Sequence, residues 1–220
     1  CAPVPATGIR LKVPNANSAI DEIEVNSNLA IEQRAIRITN AAGIRIVWDG
    51  NDGHFNDPST TAAPPMNRAL ATEGTTPFTS SDLGPQLAIP FHRAVNLNDG
   101  LYGNANSWIS ANGVGGTSDT ELFAGLNFGG TVSMTNIAWG RDNGNVGGDC
   151  CGGTLMDRSL DTYRLQYTTV AGPDATTPDT GDAATGWQDM GTVVFSSAAP
   201  PFFTPYLRHR FDLSEGGMPI

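Results

Sequence analysis

Lysine is nearly missing from this chain: Lys12 stands alone beside eleven arginines, and charged residues of both signs make up only 15% of the 220 residues. Ordinary soluble domains carry about 25%. Acidic residues outnumber basic ones 22 to 12, for a formal net charge of −10. Binding to phosphate backbones needs clustered Lys and Arg, so this balance argues against a nucleic-acid partner. It suits divalent cations, and it equally suits a surface kept soluble by acidic charge. No run of about 18 apolar residues occurs, so no transmembrane segment is expected. No basic, apolar leader precedes Cys1, and the expectation is that any secretory leader has already been removed or was never part of this sequence.

Histidine is scarce as well. His54, His92 and His209 lie far apart, with no nucleophile motif such as G-x-S-x-G beside them. Paired carboxylates abound in an acidic chain and say nothing about glycoside chemistry. The chain is therefore expected to be no enzyme. Cysteine occurs three times, as Cys1 and the adjacent Cys150 and Cys151. Neighbouring cysteines rarely pair with each other, so Cys1 with one of them is a plausible disulfide, and Cys1 is alternatively a lipid anchor. None of the three has zinc-site spacing.

What the chain has instead is turn chemistry, with 26 glycines and many Asn, Asp, Thr and Ser residues. Between the turns, apolar and polar residues alternate in short bursts over 8–13, 35–39, 43–48, 131–139, 163–169, 191–195 and 206–213. Period two over four to nine residues predicts strands. Helical patterning is almost lacking, and 20–25 alternates like a strand. Many short strands at such spacing predict an all-β sandwich or barrel of one domain. Long loops are expected over 49–76, 141–158 and 172–185.

Three blocks, in order, carry a resemblance. They are 96–110 (NLNDGLYGNANSWIS), 122–141 (LFAGLNFGGTVSMTNIAWGR) and 157–169 (DRSLDTYRLQYTT) followed by Gly186 and Trp187. Together they resemble the discoidin or coagulation-factor C-type family, galactose-binding-like jelly rolls, over about two thirds of the chain. That family closes with a strand pair reading like residues 6–13 (ATGIRLKV) and 19–25 (AIDEIEV), which here stand at the start. The resemblance implies a discoidin-like jelly-roll β-sandwich, with a closing pair out of order in 1–27 and a body in 28–220. The closing pair completes its own sandwich, or is donated to a neighbouring copy, or the chain is one slice of a tandem array cut out of phase. A sandwich lacking a strand exposes core and an unpaired edge, and a donated strand cures both.

By the same resemblance Asp99 and Glu22 are structural calcium ligands, with Asn98 and Asn104 as weaker candidates. The plainer alternative is that Asp99-Gly100 is only a turn. The stretch 49–57 (DGNDGHFND) is no calcium loop, because its glycine comes one place early and Thr60 stands where a glutamate is required. Trp48, His54 and Phe55 could form a sugar platform, since sugar sites pair aromatic faces with polar groups, although Trp48 reads equally as a strand-end core residue. Trp108 and Trp187 match packing positions of the family, and Trp139 stays open. The expected function is a non-catalytic extracellular subunit that self-assembles into a filament, surface layer or matrix through strand complementation. The alternative is a carbohydrate-binding or adhesion module of a cell-surface protein. Its partners are then copies of itself or surface glycans.

Overall fold

The first strand, β1 (Val4–Lys12), sits in the middle of a sheet. In this computed structural model the described residues are 4–13, 19–20, 22–26, 36–39, 45–48, 67–101, 104–111, 113–114, 121–134, 136–140, 161–195 and 209–213. Among them β1 runs antiparallel between β8 (Phe123–Met134) and β10 (Asp161–Thr168) of the same chain. Outside these lie β6 (Thr76–Thr79) against β8 and β11 (Gln188–Phe195) against β10, completing a five-stranded sheet. The register places Ile9 opposite Leu126 and Tyr167, and Leu11 opposite Ala124 and Leu165.

A second sheet holds β3 (Glu22–Asn26), β9 (Asn136–Gly140) and β12 (His209–Asp212), with β9 in the centre. Two short pairs complete the described strands: β2 (Ala19–Ile20) with β7 (Trp108–Ile109), and β4 (Ile36–Thr39) with β5 (Arg45–Trp48). One helix of a single turn, α1 (Leu83–Leu87), precedes β7. The all-β expectation holds at this level: antiparallel sheets dominate and helix is nearly absent among the described residues.

The core lies between the two larger sheets. Ile9 and Leu11 of β1 meet Ile23 and Val25 of β3, Ile137 and Trp139 of β9, and Tyr163 and Leu165 of β10 in one apolar cluster. Trp139 joins the sheets: its ring lies 5.1 Å from Tyr163 and 4.6 Å from Phe211, and it is fully buried. Alternation explains this, since every second residue of each strand turns to the core.

The other face of β1 is buried too, which alternation alone does not foretell. Arg10 and Lys12 are 2% and 9% exposed because the segment 170–187 folds across them as a strap. Thr169 N–H donates to Ala183 O (2.8 Å), Trp187 N–H to Pro178 O (2.8 Å) and Gly181 N–H to Trp187 O (2.9 Å). Thr7 Oγ1 donates to Val170 O at 2.6 Å, tying strap to strand. The strap lies so close to β1 that a Cβ on Gly8 would stand 2.7 Å from Pro173 Cγ, so only glycine fits there.

Candidate functional site

Strand β3 delivers Glu22 to the end of the second sheet, opposite Gly140 of β9, where it is 1% exposed. A buried carboxylate needs donors, and Glu22 Oε2 accepts the N–H of Gly100 at 3.0 Å. The turn around Gly100 is shaped for this. Gly100 has φ +80°, in the left-handed region glycine favours, and Asp99 Oδ1 accepts the N–H of Leu101 at 2.8 Å. Glu22 and the Asn98–Asp99–Gly100 turn, 77 residues apart as counted from Glu22 to Asp99, therefore meet at one place.

Asn98 supplies the most informative atom. It is 1% exposed, and its Nδ2 donates to Ala69 O (2.9 Å) and Thr75 O (3.1 Å). Among the described residues no donor reaches its fully buried Oδ1. A buried carbonyl oxygen without a hydrogen bond carries a desolvation cost of about 1–3 kcal/mol, which a cation would relieve. Asp99 leans the same way. Burial raises its carboxyl above the ordinary value, against hydrogen bonds from the Leu101 amide and from its own. Glu22, Asp99 and Asn98 offer carboxylate and amide oxygens, hard ligands suited to calcium and unsuited to zinc. Among the described residues no group of three or more His, Cys, Asp or Glu side chains gathers as a metal cluster, so any cation here would rely on the amide and on backbone carbonyls.

The resemblance named Asp99, Glu22 and Asn98, and the fold brings these three to one turn. Asn104 lies in a single helical turn at 104–106, and its side chain lies outside the described residues. Trp48 ends β5, where the backbone alone is described, while His54 and Phe55 lie outside the described residues. Cys1, Cys150 and Cys151 lie outside them as well. Trp108 and Trp139 are core residues, whereas Trp187, also fully buried, belongs to the strap.

If a cation binds here, it stabilises the fold by mass action, by about 2.7 kcal/mol at a concentration 100-fold above Kd. For a chain of this size that is a rise in Tm of roughly 5–10 °C. Calcium is expected to raise the melting temperature of the intact chain, and Glu22→Gln is expected to abolish the rise. The pH dependence carries its own sign. Asp99 has a raised folded pKa, so without calcium its contribution declines as pH rises through that value, and calcium reverses the decline. A melting temperature indifferent to chelator would refute the site.

Sequence reasoning missed a second cluster, on the strap side of β1. Arg10 lies between two rings, 4.8 Å from the Phe123 centroid and 4.6 Å from that of Trp187, and its Nε donates to Gln166 Oε1 at 2.9 Å. Burial pulls its pKa down to about 10, against the charges of Asp179 and Glu121. Arg164 grips Asp189 with two nitrogens, at 2.6 and 2.7 Å. No sequence signal pointed to this cluster, because Arg10 and Lys12 occupy the polar positions of an ordinary strand alternation. Compared with known proteins, the chain matches no protein-family model, no curated protein and no solved structure.

Proposed function

We propose that this chain is a non-catalytic extracellular structural subunit of a discoidin-like jelly roll, and that copies join by exchanging their amino-terminal strands into a filament, surface layer or matrix. One observation carries the reading. The central strand of the larger sheet comes from the start of the chain, and all its pairing partners come from β8 and β10, in the second half. A strand so placed makes the same hydrogen bonds and fills the same core whether its own chain or a neighbour supplies it. Donor at one end and acceptor in the body make the contact heterologous, so assembly runs open-ended unless a ring closes.

Calcium belongs to the same joint. Glu22 travels with the amino-terminal segment while Asn98 and Asp99 belong to the body, so a cation held by them clamps donor to acceptor. The acidic, lysine-poor surface and the three cysteines suit an extracellular setting. Sedimentation of the intact chain over a concentration series tests the proposal. Species that grow with concentration and shorten on chelation are expected, and a single monomer boundary throughout would contradict it.

A further inference from the structure

The chain's only lysine is held against two carboxylates. Lys12 Nζ lies 2.8 Å from Asp179 Oδ2 and 2.6 Å from Glu121 Oε1, and its side chain is 10% exposed. The two carboxylates sit toward solvent, with side chains 30% and 48% exposed. Asp179 also accepts Gln166 Nε2 at 3.0 Å, and nitrogens of Arg10 and Arg164 each stand 3.7 Å from the same oxygen. Neither partner is free to wander. Lys12 ends the central strand, and Asp179 is bridged backbone to backbone with Trp187 inside the strap.

An ion pair would use these contacts, yet the arrangement supplies more than an ion pair needs. A nucleophilic amine touches one oxygen of a carboxyl whose carbon is one bond further on. Gln166 Nε2 donates to the same oxygen at 3.0 Å, and the two guanidinium groups 3.7 Å away add positive charge that favours the oxyanion of an addition step. A third group, Glu121, touches the amine alone and can carry protons from it. The Phe123 and Trp187 rings pack against Arg10 beside the site.

We propose that Lys12 and Asp179 condense into an amide, an isopeptide cross-link between β1 and the strap, with Glu121 as proton carrier. Glu121 takes a proton from the Lys12 ammonium and hands it to a carboxyl oxygen of Asp179. The freed amine attacks Cγ and the C–N bond forms. A second proton follows the same route from nitrogen to the departing hydroxyl, the C–O bond breaks, and one water leaves on the solvent side. Nothing is oxidised or reduced, Glu121 ends as it began, and one positive and one negative charge are lost together. Fixed proximity worth an effective molarity of about 10⁵ M or more favours the addition. Replacing a partly buried ion pair by a neutral amide also removes its desolvation cost.

The cross-link would hold the amino-terminal strand in place whichever copy supplies it, so it stands or falls separately from the assembly reading. Intact mass after reduction and denaturation is the test. The purified chain is expected to be lighter than its sequence by about 18 Da, one water, and its digest to contain a peptide joining Lys12 to Asp179. Lys12→Arg, which keeps the charge but cannot condense, is expected at full sequence mass. Glu121→Gln is expected to accumulate unlinked chain, and a normal linked yield would overturn the role of Glu121. Wild-type chain at full sequence mass, or the same deficit persisting in Lys12→Arg, would overturn the proposal. If the strand is donated, the linked species are oligomers that survive denaturant. Wild-type chain that polymerises without being linked would refute the cross-link and leave the assembly reading standing.

Discussion

A chain shortened by residues 1–25 is expected to lose its cooperative melting transition, and a peptide of those residues is expected to restore it. The truncation removes β1 from the centre of its sheet, so β8 and β10 face a gap with unpaired N–H and C=O groups along both edges. It also strips Ile9, Leu11, Ile20, Ile23 and Val25 from the core, all at most 1% exposed. Each such side chain contributes about 1.5–3 kcal/mol on burial. Five of them together rival the roughly 5–15 kcal/mol that holds a whole domain folded. Rescue by peptide added in trans is the informative half, because it shows that the body accepts the strand from another molecule. A truncated chain that still melts cooperatively would mean the body is complete without β1.

Replacing Arg10 with alanine is expected to destabilise the chain by about 3–5 kcal/mol, the range found when one partner of a buried charge network is removed. The change leaves Gln166 Oε1 without its guanidinium donor, opens a gap between the Phe123 and Trp187 rings, and leaves Asp179 short of a counter-charge. Arg10→Met keeps most of the volume between the rings and is expected to recover part of the loss. Denaturant unfolding of the three proteins checks this, and a loss under about 1 kcal/mol for alanine would mean that the strap does not depend on Arg10. In chain whose Lys12 and Asp179 have not condensed, the same network predicts an acid limit. Burial pushes the Asp179 carboxyl up, but hydrogen bonds from Lys12 and Gln166 with the nearby charges outweigh it and hold the carboxyl below the ordinary range. The Arg164 hydrogen bond does the same for Asp189. A depressed carboxylate stabilises fully above its unfolded pKa, so the contribution is intact at neutral pH and fades as pH falls through the lowered values.

Alternation made β1, β3, β10, β11 and β12 legible in the sequence, because each turns one apolar face to a single core. Other elements were hidden for identifiable reasons. β6 carries Pro77, which tells against a strand by pattern yet is tolerated at a sheet edge. β7 spans two residues, too short to show a period. The stretch 131–139 reads as one strand but is divided between β8, which ends at Met134, and β9, which begins at Asn136. The strap has no apolar period at all. Asp and Thr side chains bonding to their own backbone hold it, as where Asp174 Oδ1 accepts the N–H of Thr176 at 2.8 Å, and such chemistry reads as loop.

The two clusters differ in the same way. Asp99, Asn98 and Glu22 came from an ordered resemblance of blocks, and composition alone would have left them a turn and a strand end. Nothing in the sequence marked Arg10 or Lys12 as buried, because polar residues on alternate positions of a strand normally face water. Only the strap, folding back from 170–187, turns that face inward.

The Glu121→Gln chain, in which Lys12 is expected to keep its free amine, provides the most direct test of strand exchange, because a zero-length carbodiimide joins that amine to Asp179 wherever they meet. Equal amounts of chain with ordinary nitrogen and chain labelled with heavy nitrogen would be unfolded, refolded together, cross-linked and digested. The account predicts Lys12 peptides of one label joined to Asp179 peptides of the other. Linked peptides that are always light with light or heavy with heavy would contradict it, because each amino-terminal strand would then be closing its own sandwich.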